Sequence, residues 1–166
     1  YFDRVAKEYV RIKALAASMG TRPSVLVNGP FQGVWSVSGG RSALARLIAD
    51  AGGAYLWSDD TNTGGITLSV EAVFSRARSA EIWLNPALTP TTVAEVVALD
   101  PRFADLPVVK AGRIWNDNLK LNATGGNDYF ETAVIRPDLV LVDLVKILHP
   151  ELLADRPFTW YRQMKK

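Results

Sequence analysis

With one histidine and no cysteine in 166 residues, this chain has few side chains suited to covalent or metal chemistry. His149 closes an apolar helical run and is followed by Pro150 and Glu151, so a Ser-His-Asp triad would have to be built around a helix terminus. An imidazole near the negative end of a helix dipole needs no catalytic role to explain it. First-row metal sites draw on several histidine or cysteine ligands, which this chain cannot supply. Without cysteine there are also no disulfides and no thiol nucleophiles. Asp59 and Asp60 lie beside Ser58, Thr61 and Asn62, the composition of a solvated turn. Asp117, Asp128 and Glu131 remain as general-base candidates for an α/β enzyme, a role that needs a perturbed carboxylate in a closed pocket.

Glycine pairs stand at 39–40, 52–53, 64–65 and 125–126, but no Gly-Lys-Ser/Thr and no G-x-G-x-x-G after a strand is present. A nucleotide-binding regulatory domain is disfavoured for that reason. Three of the pairs read as turns; Gly39-Gly40 precedes a helix and would offer N-terminal amides to a ligand. Aromatic residues are the more suggestive feature. Phe31, Gln32 and Trp35 follow the first apolar strand, and Trp115 ends a later one with Asn116, Asp117 and Asn118 behind it. Loops of this composition suit a large planar or partly apolar ligand edged with polar groups. Trp57 and Trp83 read as core, while Trp35 divides evenly between core and ligand contact.

The elements that must position these residues alternate. Phe2, Val5, Tyr9, Ile12, Leu15 and Met19 recur at steps of three and four, which predicts an amphipathic helix ended by Gly20 and Pro23. No capping residue precedes it, so it is expected to be the end of a longer helix. Ser24 to Val27 predicts a buried strand, Asn28-Gly29-Pro30 a turn, residues 42–50 a helix, and Ala54 to Trp57 a second strand. Ser69 caps a helix carrying Val70, Val73 and Phe74, and Ala80 to Leu84 is the next strand. Thr89-Pro90 predicts a further helix start, Arg113 to Trp115 a strand, and Leu139 to Leu148 and Phe158 to Met164 two closing helices. Such alternation predicts a three-layer α/β domain around a mostly parallel sheet, with ligands at the carboxyl ends of its strands.

Composition sets the outer limits. A content of 48% hydrophobic and 22% charged residues is ample for one sizeable core. The net charge of +2, with basic residues scattered along the chain, argues against nucleic acid or an anionic membrane surface as partner. No run approaches the roughly 18 to 20 apolar residues of a spanning helix, and no signal segment opens the chain.

Whole phrases then carry a family resemblance: Arg22-Pro-Ser-Val-Leu, Trp35-Ser-Val-Ser-Gly-Gly-Arg-Ser, Ala49-Asp-Ala-Gly-Gly and Leu68-Ser-Val-Glu-Ala-Val. Asp100-Pro-Arg-Phe, Val109-Lys-Ala-Gly-Arg-Ile-Trp, Gly126-Asn-Asp-Tyr-Phe-Glu, Arg136-Pro-Asp-Leu-Val-Leu and Ile147-Leu-His-Pro-Glu-Leu-Leu with Trp160-Tyr continue the series. In order and spacing they resemble the second lobe of the substrate-binding proteins of ABC importers for iron complexes and cobalamin. The resemblance implies residues 1–20 as the end of an interlobe helix and residues 21–166 as the carboxy-terminal lobe. It implies a binding protein without catalysis or resident cofactor, which captures a ferric siderophore, haem or cobalamin between two lobes and delivers it to a membrane permease. Phe31, Gln32, Trp35, Gly39, Gly40, Asn85, Trp115 and Asn116 would then face the ligand, and Glu71, in a Ser-x-Glu motif, would dock on permease arginines. The histidine and carboxylate ligands of relatives that bind bare metal ions have no counterpart here, which favours a chelated or macrocyclic cargo. The implied location is periplasmic or otherwise extracytoplasmic, with or without a lipid anchor upstream of residue 1.

Overall fold

Val5, Ile12 and Ala16 recur at helical spacing and are buried along one side of α1 (Phe2–Ala17) in the computed structural model, which describes residues 1–166. The next apolar run is β1 (Ser24–Val27), followed by a hairpin of β2 (Pro30–Phe31) and β3 (Val34–Ser38). Its two-residue loop, Gln32-Gly33, has positive φ at both positions, the turn geometry that matches strand twist. Ser42 caps α2 (Ala43–Asp50), β4 (Ala54–Tyr55) follows, and β5 (Gly65–Ser69) leads into α3 (Val70–Ala77) through the Ser69 cap. Then come β6 (Ile82–Leu84), α4 (Val93–Leu99), a 3₁₀ turn (Pro101–Asp105), α5 (Pro107–Ala111) and β7 (Ile114–Asn116). The chain closes with α6 (Asp128–Thr132), a second 3₁₀ turn (Ala133–Ile135), α7 (Pro137–Leu148) and β8 (Arg162–Gln163). No helix is long and apolar enough to cross a membrane.

The central sheet has the order β4-β1-β6-β7-β8, parallel except for the antiparallel β8 edge. This is the expected α/β architecture with a mostly parallel sheet between helical layers. Every residue of β6 and three of four in β1 are buried, as befits strands covered on both faces. Helices α1, α2 and α7 pack together on one side. On the other side Trp83 stacks on Trp35 from β3 at 5.6 Å between ring centroids, and Phe103 meets both edge-on.

Four sequence expectations need correction. Residues 34–38, read as loop, pair with residues 65–69, where no strand was expected, as an antiparallel sheet in which Trp35 and Val37 point inward and Val34 and Ser36 outward. The strand expected from Ala54 to Trp57 stops at Tyr55. The helix expected at Thr89-Pro90 begins instead at Val93, because Thr92 and Glu95 form a reciprocal capping box. The helix expected from Phe158 to Met164 is extended and contains β8.

Asp143 accounts for that last difference. Its buried carboxylate, projecting from α7, accepts hydrogen bonds from the backbone N–H groups of Thr159 (2.9 Å), Trp160 (2.8 Å) and Tyr161 (3.2 Å). An extended strap is thereby held where helical hydrogen bonds would otherwise form, and Trp160 and Tyr161 bury themselves behind it. Asp143→Ala leaves these amides unpaired and is expected to cost about 2 to 4 kcal/mol. Urea unfolding monitored by far-UV circular dichroism measures the loss; a change below about 0.5 kcal/mol would mean that the strap is held by side-chain packing alone.

Candidate functional site

Three neighbouring parallel strands end in asparagine: Val27 is followed by Asn28, Leu84 by Asn85, and β7 closes on Asn116. Asn28 N donates to Leu84 O (2.9 Å) and Asn85 N to Trp115 O (2.8 Å), so the ladder runs one residue past β1 and β6. Asn28 and Asn85 then adopt left-handed backbone conformations (φ 60° and 56°), which asparagine tolerates better than other side-chain-bearing residues. The carbonyls at the end of β1 are taken from behind by indole N–H groups, Trp35 Nε1 on Val27 O (3.2 Å) and Trp83 Nε1 on Asn28 O (2.6 Å). Gly29 is required at this edge because a Cβ there would overlap the Pro86 carbonyl, so the loops leaving β1 and β6 touch.

Above these ends lies a cleft of about 800 Å³. Asn28, Asn85, Asn116 and Asp117 form its floor, the Gly29–Phe31 and Pro86–Thr89 loops its sides, and Leu44 from α2 and Tyr129 and Phe130 from α6 complete it. Phe31, Leu88 and Phe130 stand 73%, 72% and 60% exposed at the rim, an apolar margin ready to be covered. The Pro86–Pro90 loop is anchored by side-chain amides. Asn116 Nδ2 donates to Ala87 O (2.8 Å) and Pro90 O (3.2 Å), and Asn118 Nδ2 donates to Pro90 O (3.1 Å). No three His, Cys, Asp or Glu side chains group closely enough to hold a metal ion. Another hollow, along α1, is lined largely by charged side chains, several of them mutually paired, among them Glu8 with Arg11 and Arg156 and Arg136 with Asp138.

Of the residues singled out in the sequence, Phe31, Asn85 and Asn116 line the cleft. Trp35 does not: it is fully buried in the Trp83–Phe103 cluster and shapes the floor only from behind. Trp115 projects to the opposite face from Asn116, as alternation along β7 requires, and packs on Phe158 at 4.9 Å. Gln32 occupies the hairpin turn beside the cleft. Gly39 and Gly40 are glycines because the 57–64 segment presses on them; their N–H groups go to Gly64 O and to the Asp60 carboxylate, so they offer no amides to a ligand. Among the carboxylates, only Asp117 reaches the cleft. Asp128 is engaged by the Trp160 indole and Thr132, which hold its carboxyl below the usual range, and Glu131 is exposed. Asn28, Leu44, Leu88, Tyr129 and Phe130 were not anticipated at the site; the recurrence of asparagine directly after apolar strand residues was the available signal. Glu71 is exposed in the first turn of α3, 3.3 Å from Arg102, which also pairs with Asp100.

Residues 1–119 match the family model described as periplasmic binding protein. The chain is 24% identical over 159 residues to an uncharacterized lipoprotein of Methanocaldococcus jannaschii, covering 94% of this chain and 36% of that one. Its fold is similar to that of an ABC transporter substrate-binding protein of Listeria monocytogenes, at 19% identity and a TM-score of 0.62 over 89% of this chain and 55% of the other. The periplasmic haem-binding protein RhuT of Roseiflexus sp. RS-1 is similar at 21% identity and a TM-score of 0.64, over 89% and 54% of the two chains. The chain thus spans about half the length of these two structures.

The electrostatics of the cleft centre on Asp117. Burial pushes its carboxyl up to about 6, against the opposing effects of a hydrogen bond from Asn127 Nδ2 (3.1 Å) and of its own backbone N–H. A carboxyl raised on folding binds its proton more tightly in the folded chain, so stability falls as pH rises from the ordinary carboxylate range through about 6. Asp117→Asn should therefore add about 1 to 3 kcal/mol of stability above neutrality and almost none at the acid end of that window. Urea titrations of the two proteins at both ends of the window check this. An equal gain at both would show that desolvation of the charge is not what Asp117 costs the fold.

Proposed function

The chain belongs to the periplasmic binding protein family, and on that premise we propose that it is the cargo-binding carboxy-terminal lobe of an ABC-importer substrate-binding protein. Residues 1–20 are the end of a helix joining two lobes, and residues 21–166 are the lobe itself. The observation that carries this reading is the cleft: about 800 Å³ at the carboxyl ends of β1, β6 and β7, with an amide floor and an exposed apolar rim. Its cargo is a metal chelate or macrocycle, an iron complex, haem or cobalamin, with Phe31, Leu88 and Phe130 closing on its apolar surface and Asn85, Asn116 and Asp117 meeting its polar edge. The haem-binding function of one structural neighbour and the lipoprotein nature of a relative support cargo of this kind and a location outside the cytoplasmic membrane. The alternative, an enzyme with a cleft carboxylate as general base, is less well supported. Asp117 alone faces the cleft, and its hydrogen-bond partner is an asparagine, with no nucleophile beside it.

Full-length protein titrated with ferric siderophores, haemin and cyanocobalamin, followed by visible absorption and calorimetry, tests the reading. Phe31→Ala and Phe130→Ala should each weaken the bound cargo by about 1 to 3 kcal/mol without unfolding the protein, as buried aromatic anchors do. Unchanged affinity in both variants would show that the cargo does not sit on this cleft.

Glu71 serves the second half of the task. Exposed at the start of α3 and bridged through Arg102 to Asp100, it offers a fixed negative charge to the permease. Glu71→Arg should abolish uptake in reconstituted transporter vesicles while cargo affinity stays within about twofold, since an exposed helix-end carboxylate contributes little to the fold. Normal uptake by that variant would remove Glu71 from the docking surface.

A further inference from the structure

The polarity of the cleft restricts its occupant further than its size does. No lysine, arginine or histidine lines it, and its one charged side chain is the carboxylate of Asp117. Behind Asp117, Asn116 and Asn118 turn their amide oxygens away from the loop that their Nδ2 atoms hold. Asn116 Nδ2 lies against the carbonyl oxygens of Ala87 and Pro90, which can only accept, so the atom turned away from them must be the amide oxygen. The same reasoning fixes Asn118, whose Nδ2 faces the carbonyls of Leu88, Thr89 and Pro90. Both Oδ1 atoms are buried and have no hydrogen-bond partner in the protein. The Asp117 carboxylate receives a single side-chain donor, from Asn127. The cleft thus carries one negative charge and no positive one, under a rim of exposed Phe31, Leu88 and Phe130. A desolvated carboxylate with a single side-chain donor repels negative charge and is relieved by a further donor or a cation, so this surface favours an occupant that brings hydrogen or positive charge to it.

We infer that the cargo is a chelate or macrocycle carrying N–H or O–H donors and no net negative charge, an inference that rests on reading this cleft as the cargo site. Within the iron complexes this selects hydroxamate-type chelates, neutral or cationic, over polyanionic catecholate chelates. Among macrocycles it selects an amide-rimmed ring over a dicarboxylate porphyrin. Asp117 acts as the selecting charge, and the apolar rim takes the uncharged periphery of the cargo.

Five probes decide it, titrated near neutral pH into full-length protein: cationic ferrioxamine B, neutral ferrichrome, trianionic ferric enterobactin, cyanocobalamin and haemin. The tightest binder is expected among ferrioxamine B, ferrichrome and cyanocobalamin, at least about tenfold ahead of either anionic probe. Asp117→Asn keeps the shape of the side chain and removes its charge. It should lower the ratio of the best neutral or cationic affinity to the best anionic affinity by about tenfold, whereas a merely structural defect would weaken all probes alike. Tightest binding of haemin or ferric enterobactin, or a ratio unchanged by Asp117→Asn, overturns the inference while leaving the cleft as the cargo site. Failure of all five probes to bind would remove the cargo-site reading, and the inference with it.

Discussion

Parallel pairing of β1 with β6 and of β6 with β7 is the constraint on which the rest of this molecule depends. Parallel strands in register end on the same side of the sheet, so three chain departures are forced together at one edge. Each must turn sharply, and each must find partners for backbone groups that the ladder no longer serves. The chain meets both demands with a small set of residues. Left-handed asparagines turn β1 and β6, two indole N–H groups take the last carbonyls of β1, and the amides of Asn116 and Asn118 hold the loop that leaves β6. The cleft is the space these solutions leave between the loops.

Two buried carboxylates show how differently one side-chain type is used. Asp143 is surrounded by backbone N–H donors and serves architecture, tying the extended strap to α7. Asp117 has one side-chain donor and opens onto the cleft, so its burial is a cost that hydrogen bonding within the chain offsets only in part. Together with the unpartnered oxygens of Asn116 and Asn118, it marks the region where local stability is lower than packing alone would allow. Such departures from full hydrogen-bond satisfaction are expected where a surface is kept ready for something else.

Much of this was legible in the sequence, and the exceptions have physical causes. The helices at residues 2–17, 43–50 and 137–148 and the buried strands at 24–27 and 82–84 follow from apolar periodicity and caps, signals that tertiary contacts reinforce. The Phe158 to Met164 segment was misread because its conformation is set by Asp143, distant in sequence, and local pattern cannot see that contact. Trp35 lies among small and polar residues, which left it evenly divided between core and ligand contact; alternation along an unrecognised β3 turns it inward. Trp115 and Asn116 are neighbours in sequence, but strand geometry sends them to opposite faces, so only one of them reaches the cleft. Phe31 and Asn116 line the cleft as loops after strands in such sheets do by topology, and Asn85, singled out through the family resemblance, lies beside them.

Hydrogen–deuterium exchange of the full-length protein, with and without the cargo it binds most tightly, tests the assignment of this cleft most directly. The account predicts slowed exchange in residues 28–31, 85–90, 116–118 and 127–130, with the ion-paired face of α1 around Glu8 and Arg11 unchanged. Protection along that α1 face, with the four cleft segments exchanging as before, would contradict it.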